Sequence, residues 1–339
     1  MEYLNLDIVV DIDSEESLKA GASKVVSKVK PEWPVTDFKF KIFTDGISNK
    51  LIGIYVQNKN EMVLVRVYGA KTELIIDRQA EIRNMLVLHK AGCGCQLYAK
   101  FTNGLAYEYL PGDILNIESV KHPQIYPKVA ETMAKMHLNV DLGPTVPKQP
   151  CMWNKLRMFL DQYPDSLNDA RLQAHGISKD KLSQEVQMLQ DKLTGVSSPI
   201  VFTHNDLLLA NIVIDGEKVS FIDYEYGDYN YQECDVANHF DEMAGVENMD
   251  FVKHYPTQAF QLDWIKAYLA AYGPCDKPDE KQIWEFYVNV NKFSLCYHMM
   301  WGLWGLVQAS ISKIDFDFVA FALGRLNEYF RVRDERINM

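Results

Sequence analysis

Up to about residue 110 the apolar positions alternate or run in short blocks, and beyond it they mostly recur with a helical period. Leu6 to Ile12 (LDIVVDI) reads as a strand, followed by a helix from Glu15 towards Lys28 that Pro31 and Pro34 end. Phe38 to Phe43 alternates, Thr44 to Lys50 is a polar turn containing Gly46, and Leu51 to Val56 and Met62 to Tyr68 are further strands. Asp77 to Lys90 places Ile82, Met85, Leu86 and His89 on one helical stripe. Leu97 to Phe101 and Gly104 to Leu110 complete the strands, and Pro111-Gly112 breaks the pattern. A helix from Ile125 to Leu138 opens the remainder. Residues 139 to 200 are helical in patches and carry no motif, although they leave room for a homodimer contact.

Val201 to Glu242 holds more polar groups between its apolar runs than a plain core needs. Val201-Phe202-Thr203 is β-prone, His204-Asn205-Asp206 interrupts it, and Asn211 opens a strand through Ile214. Asp215-Gly216 is a two-residue hairpin signal, after which Val219, Phe221 and Ile222 lead to Asp223. With the turn there, Ile214 pairs with Glu217 and Asn211 lies opposite Ser220. Asp223 then falls roughly 10 Å further along the strand, at the end where Asn211 and the His204–Asp206 break sit. The hairpin is therefore expected to gather Asp206, Asn211, Asp223 and Glu225 at one mouth. Hard carboxylate and amide oxygens suit Mg²⁺, which completes its shell with water and phosphate. One further carboxylate could take the proton from an attacking hydroxyl. The bland alternative is a hairpin with polar residues at its exposed end.

Other polar groups fall in helical or strand register. Asp235, Asn238, His239 and Glu242 recur at i, i+3, i+4 and i+7, either a solvated helix face or one turned to a site. Arg66 shares a strand face with Leu64 and Tyr68, and Glu81 near the start of the next helix could reach it. Phe293 to Ser312 carries no charge and is long enough to cross a bilayer, yet its glycines, serines, Tyr297, His298 and Gln308 point to a buried helix. Trp301 and Trp304 lie three apart within it.

Composition narrows the partners. The 339 residues, 47 % hydrophobic and 24 % charged, are enough for two lobes with sizeable cores. A formal net charge of −11 argues against nucleic acid or an anionic membrane as a general partner. Six cysteines show no paired metal spacing, Cys93-Gly94-Cys95 alone being weak, and read as reduced thiols of a cytoplasmic protein. The acidic start MEYLNLDIVVDIDSEES does not read as a signal peptide.

His204-x-Asp206-x4-Asn211 followed by Ile222-Asp223-Tyr224-Glu225-Tyr226 resembles the phosphotransferase signature of the choline/ethanolamine kinase family. Asp235 to Glu242 is similar to that family's second signature, and DGISNKLIG (45–53) resembles the nucleotide loop of its ethanolamine-specific members. The resemblance covers most of residues 40 to 335. It implies a two-lobed, protein-kinase-like α+β fold, with an N-lobe of antiparallel sheet plus helix to about residue 109 and a larger, mainly helical C-lobe from 110 to 339. It also implies MgATP-dependent phosphorylation of a small amino alcohol, with Asp206 as the catalytic base and Asn211, Asp223 and Glu225 on Mg²⁺. Ser48 and Asn49 would cover the phosphates and Arg66, fixed by Glu81, would steady them. Glu108 to Leu110 would meet the adenine edge. Glu242, Tyr226, Trp301 and Trp304 would surround the substrate ammonium, and Asp235 would steady the His204–Asp206 loop. The pattern leaves open a choline or dual-specificity kinase, an aminoglycoside-phosphotransferase-like kinase and an inert scaffold. A protein kinase is disfavoured by the lack of a VAIK lysine, GxGxxG and an APE-like segment.

Overall fold

The computed structural model describes residues 3–43, 49–57, 59–69, 77–164, 167–273, 277–312 and 314–339. Ser48, expected over the phosphates, lies outside the described residues. The elements in chain order are β1 (Leu4–Leu6), α1 (Glu15–Val29), β2 (Lys39–Phe43), β3 (Lys50–Tyr55), β4 (Val63–Val67), α2 (Arg78–Lys90), β5 (Leu97–Phe101), β6 (Gly104–Glu108) and β7 (Asp113–Ile114). There follow α3 (Tyr126–Asn139), α4 (Met152–Asp161), α5 (Ala170–Ala174), α6 (Lys179–Leu193), β8 (Ile200–Thr203), β9 (Ile212–Asp215), β10 (Lys218–Phe221) and β11 (Asp228–Tyr231). The last five are α7 (Glu233–Glu242), α8 (Phe251–His254), α9 (Gln258–Tyr272), α10 (Glu280–Ile311) and α11 (Phe318–Ile337). Contacts divide the chain into two compact units, residues 1–113 with 213–225 and residues 114–212 with 226–339.

The first unit is built on a sheet ordered β1-β5-β6-β4-β3-β2. Every pair among β2 to β6 is antiparallel, but β1 joins β5 in parallel, so the sheet is mixed rather than purely antiparallel. The strand expected over Leu6–Ile12 is confined to Leu4–Leu6. Beyond it the Ile8 carbonyl still accepts the Thr102 N–H at 3.0 Å, and at Val10 the side chain of Asn103 takes over: its Oδ1 accepts the Val10 N–H at 3.0 Å and its Nδ2 donates to the Val10 carbonyl at 2.8 Å. Ser14 caps α1, whose Leu18, Ala22, Val25 and Val26 pack with Val63, Val65 and Val67 of β4 on one face of the sheet. The period of two sends Leu64 and Arg66 to the other face, where Ile82 and Met85 of α2 cluster with Leu97 and Leu105. The hairpin turn falls at Gly216 and Glu217, one residue later than expected, because Gly216 (φ +57°) supplies the left-handed conformation and Asp215 stays in the strand.

The second unit is mainly helical and forms around α10. From Phe293 to Leu303 every residue of α10 is buried, as a helix apolar on all sides requires. Gly302 and Gly305 let α11 approach it closely: a Cβ at 302 would come within 2.8 Å of Leu326, and one at 305 within 3.1 Å of the Phe318 carbonyl. Among the described residues no helix is long and apolar enough to cross a membrane.

Candidate active site

In the first unit, β4 lies between β3 and β6, so Arg66 sits at the centre of the sheet rather than at an edge and is only 6 % exposed. An unpaired guanidinium there would be costly. Its Nη2 pairs with Glu81 of α2, and its Nη1 donates to Asp223 Oδ1 at 3.2 Å. Burial opposes the arginine's charge, but Tyr107, Asp223 and Glu225 outweigh it and hold the pKa above the ordinary value. Arg78, which nothing in the sequence singles out, adds a second guanidinium 3.1 Å from Glu81 and 3.6 Å from Glu225, stacked 3.9 Å over the Tyr68 ring.

Carboxylate oxygens of Glu81, Asp223 and Glu225 lie within 4.8 Å of one another. Burial, reinforced by Asp223, pushes the Glu225 carboxyl up to about 7 against the pull of the two arginines. Its Oε2 is buried and has no hydrogen-bond partner among the described residues. A hard divalent cation fits this oxygen set. Asp223 adopts φ +66°, a left-handed conformation that Asp tolerates better than most residues. The next residue is pinned: the Tyr224 hydroxyl donates to the Phe221 carbonyl at 2.6 Å and the Tyr224 carbonyl accepts Asn84 Nδ2 at 3.3 Å. Asn49 bonds the Glu225 carboxylate and accepts the Gly69 N–H at 3.3 Å. Glu108 ends β6 with Oε2 on the Gln96 N–H at 3.0 Å, and Leu110 packs against the α2 cluster.

In the second unit, Asp206 follows β8 in a loop that α7 holds. Asp235, fully buried, accepts the backbone N–H groups of His204 and Asn205 at 2.7 Å each, and His137 Nε2 lies 3.0 Å from its Oδ2. Asn238 Oδ1 accepts the Leu207 N–H at 2.6 Å, and His239 Nδ1 approaches the Leu207 carbonyl at 3.4 Å. The i, i+3, i+4 face of α7 thus turns to the loop, and every residue of α7 is buried, which excludes a solvated face. Asn205, φ +64°, was not recognised from the sequence. Its side chain locks the bend, Oδ1 accepting from Thr203, Asn230 and Tyr297 at 3.0, 2.9 and 2.8 Å, and Nδ2 donating to the Tyr226 carbonyl at 3.0 Å. The only advance signal was that Asn, like Asp, tolerates this region of backbone space. Asn211 Nδ2 donates to the Asp206 carbonyl at 2.9 Å, so its amide oxygen is the end a cation would take.

Burial lowers His239 to about 4, so the folded loop carries it neutral. The sign follows from linkage: between pH 6.5 and about 4 the unfolded chain binds this proton and the folded chain does not. The resulting stability is complete above pH 6.5 and is lost as pH falls towards 4, by roughly 3 kcal/mol in all. Buried Glu233 and Glu242, raised by burial, act in the opposite sense, so the variant difference is the readout. Urea unfolding of wild type and His239→Gln should show the wild type losing more stability than the variant from pH 6.5 to 4.5. Parallel losses would contradict a neutral buried His239.

Tyr226, Trp301 and Trp304 come together in the second unit. Trp301 packs edge-on to Tyr226 at 5.3 Å and to Trp304 at 5.7 Å, and Trp304 Nε1 donates to the Tyr226 hydroxyl at 3.0 Å. Glu242, expected beside the ammonium, is 3 % exposed, and its Oε1 takes Arg325 Nη2 at 2.6 Å and Asn238 Nδ2 at 3.5 Å. A cavity of about 510 Å³ is lined by residues that include Glu247, Asp315, Phe316, Asp317 and Phe321, the last packing 5.8 Å from Trp304. Asp317 is engaged by Arg171 at 2.6 Å. Glu247 and Asp315 belong to no motif in the sequence.

The family model described as choline/ethanolamine kinase matches residues 40–330. Ethanolamine kinase 2 of Rattus norvegicus is 41 % identical over 330 residues, covering 96 % of this chain and 84 % of that protein. The ethanolamine kinase of Drosophila melanogaster is 36 % identical, covering 96 % of this chain and 79 % of its own length. Among solved structures, a Plasmodium vivax ethanolamine kinase superposes with a TM-score of 0.82 at 28 % identity, covering 94 % of this chain and 89 % of that one. A Cryptosporidium parvum choline kinase, at 21 % identity, shares the fold with a TM-score of 0.79, covering 93 % of this chain and 96 % of that one. With a protein-kinase-like α+β fold, the phosphotransferase signature and a family match over most of its length, the chain belongs to the choline/ethanolamine kinase family.

Proposed function

We propose that this kinase transfers the γ-phosphoryl group of ATP to the hydroxyl of ethanolamine, giving phosphoethanolamine and ADP, the first step of a CDP-ethanolamine route to phosphatidylethanolamine. The observation that carries the reading is the near full-length identity to proteins named ethanolamine kinases. The loop geometry supports the chemistry. The substrate oxygen attacks the γ-phosphorus, the bond to the bridging oxygen of ADP breaks, and the hydroxyl proton passes to the Asp206 carboxylate. Holding that carboxylate in place needs a loop fixed at both sides of residue 206, and Asp235 and Asn238 fix it there.

Asn211, Asp223 and Glu225 would hold Mg²⁺, which when bound offsets phosphate charge. Arg66, itself held by Glu81, adds positive charge beside those carboxylates. Ser48 and Asn49 would cover the phosphates, and Glu108 to Leu110 would meet the adenine edge. On the acceptor side, Tyr226, Trp301 and Trp304 offer aromatic faces to an ammonium, a contact worth about 0.5 to 2 kcal/mol. A primary ammonium also has three N–H donors to satisfy. A quaternary ammonium can donate none, so oxygen acceptors around the nitrogen would favour ethanolamine.

The test is an ATP-consumption assay on ethanolamine, choline and an aminoglycoside in parallel. Ethanolamine is expected to show kcat/KM at least about tenfold above choline, about 1.4 kcal/mol of discrimination. A preference for choline would overturn the substrate and keep the chemistry.

A further inference from the structure

The buried guanidinium of Arg325 is not explained by stability. It is 1 % exposed, in the middle of α11, and among the described residues its one hydrogen-bond partner is Glu242 Oε1 at 2.6 Å. Its Nε and Nη1 have no hydrogen-bond partner among the described residues. The rings of Phe251 and Phe321 lie 5.6 and 5.4 Å from its Cζ and can only partly replace water. Buried ion pairs of this kind are often no better for stability than apolar side chains of similar size, because both charges lose their hydration. The charge therefore points to a geometric task.

The contacts beyond Glu242 show what that task is. Glu242 Oε1 also accepts Asn238 Nδ2 at 3.5 Å, and this orients the amide so that its oxygen faces the loop. That oxygen accepts the Leu207 N–H at 2.6 Å, immediately after Asp206. The opposite flank of Asp206 has a separate anchor, since His204 and Asn205 donate to Asp235. We infer that Arg325 is a positioning residue for the phosphoryl transfer, setting the Asp206 carboxylate through Glu242, Asn238 and the Leu207 amide.

Resting on the reading of Asp206 as the base, the inference gives Glu242 a different part from direct contact with the substrate ammonium. Its Oε1 serves two protein donors, and the guanidinium offsets its charge. Arg325 is buried beneath Glu242, so its loss should act on turnover rather than on binding. A small displacement of a catalytic group can cost up to about 100-fold in rate.

The experiment combines amide hydrogen exchange with steady-state kinetics on the full chain carrying Arg325→Met. The Leu207 amide is expected to exchange at least about tenfold faster, while the His204 and Asn205 amides keep wild-type protection. In parallel kcat should fall about tenfold or more, with KM for ATP and for ethanolamine within about twofold of wild type. Arg325→Lys keeps one donor towards Glu242 and should recover most of the lost kcat. Should Arg325→Met leave the Glu242 charge buried without its cation and fail to fold, Arg325→Met/Glu242→Leu removes both charges and carries the same expectations for Leu207 exchange and for kcat. Unchanged exchange at Leu207 would overturn the inference, and so would faster exchange with unchanged kcat or a rise confined to the KM for ethanolamine. The reading of Asp206 fails separately, if Asp206→Ala keeps its turnover, and that result leaves the exchange pattern untouched.

Discussion

Asp206→Ala is expected to fold and to bind nucleotide while losing about 10³-fold or more in kcat, equivalent to about 4 kcal/mol of transition-state stabilisation. The fold should survive because the loop is held by its neighbours. The backbone N–H groups of His204 and Asn205 are bound by Asp235, that of Leu207 by Asn238, and the Asp206 carbonyl by Asn211. None of these bonds uses the Asp206 carboxylate. Circular dichroism and thermal melting should therefore match wild type, with the loss confined to the chemical step. A folded variant with near wild-type turnover would remove Asp206 from the mechanism.

Asp223→Asn should raise the Mg²⁺ concentration for half-maximal activity by about tenfold or more, since one charged oxygen ligand becomes neutral. Asparagine is the informative replacement here. Asp223 stands at φ +66°, where an alanine would add backbone strain of about 1 to 3 kcal/mol and blur the result, whereas Asn enters that region readily. The change also weakens the hold on Arg66 Nη1, now 3.2 Å from Asp223 Oδ1, while the Glu81 pair keeps the guanidinium in place. Direct Mn²⁺ binding followed by electron paramagnetic resonance reads the same loss without turnover. An unchanged Mn²⁺ affinity and Mg²⁺ titration would contradict the assignment of Asp223 to the cation.

The sequence made some of this site readable because the relevant residues repeat within single elements. The spacing of Asp235, Asn238 and His239 put three loop-binding groups on one face of α7, and Trp301 and Trp304 fell one helical turn apart. Arg66 and Glu81 could be matched because a charge in a β-branched strand demands a partner, and the following helix offered one. What stayed hidden depends on groups that meet only in the folded chain. Arg325 looks like any helical arginine until α11 buries it against Glu242. Arg78 meets Glu81 and Glu225 only once α2 packs on the sheet, and Asn205 shows its purpose only through the three donors its amide oxygen collects. The strand expected over Leu6–Ile12 failed for a similar reason: the side chain of Asn103 satisfies backbone groups that a strand neighbour would otherwise take.

The γ-phosphoryl group of ATP is expected to end on the oxygen of ethanolamine. Phosphorus-31 NMR of the purified protein with ATP, Mg²⁺ and ethanolamine follows that group directly. The expected spectrum loses ATP and gains ADP and phosphoethanolamine in equal amounts, with Asp206→Ala silent over the same period. ADP accompanied by inorganic phosphate alone, or ATP left intact while wild type is folded and saturated with nucleotide, would contradict it.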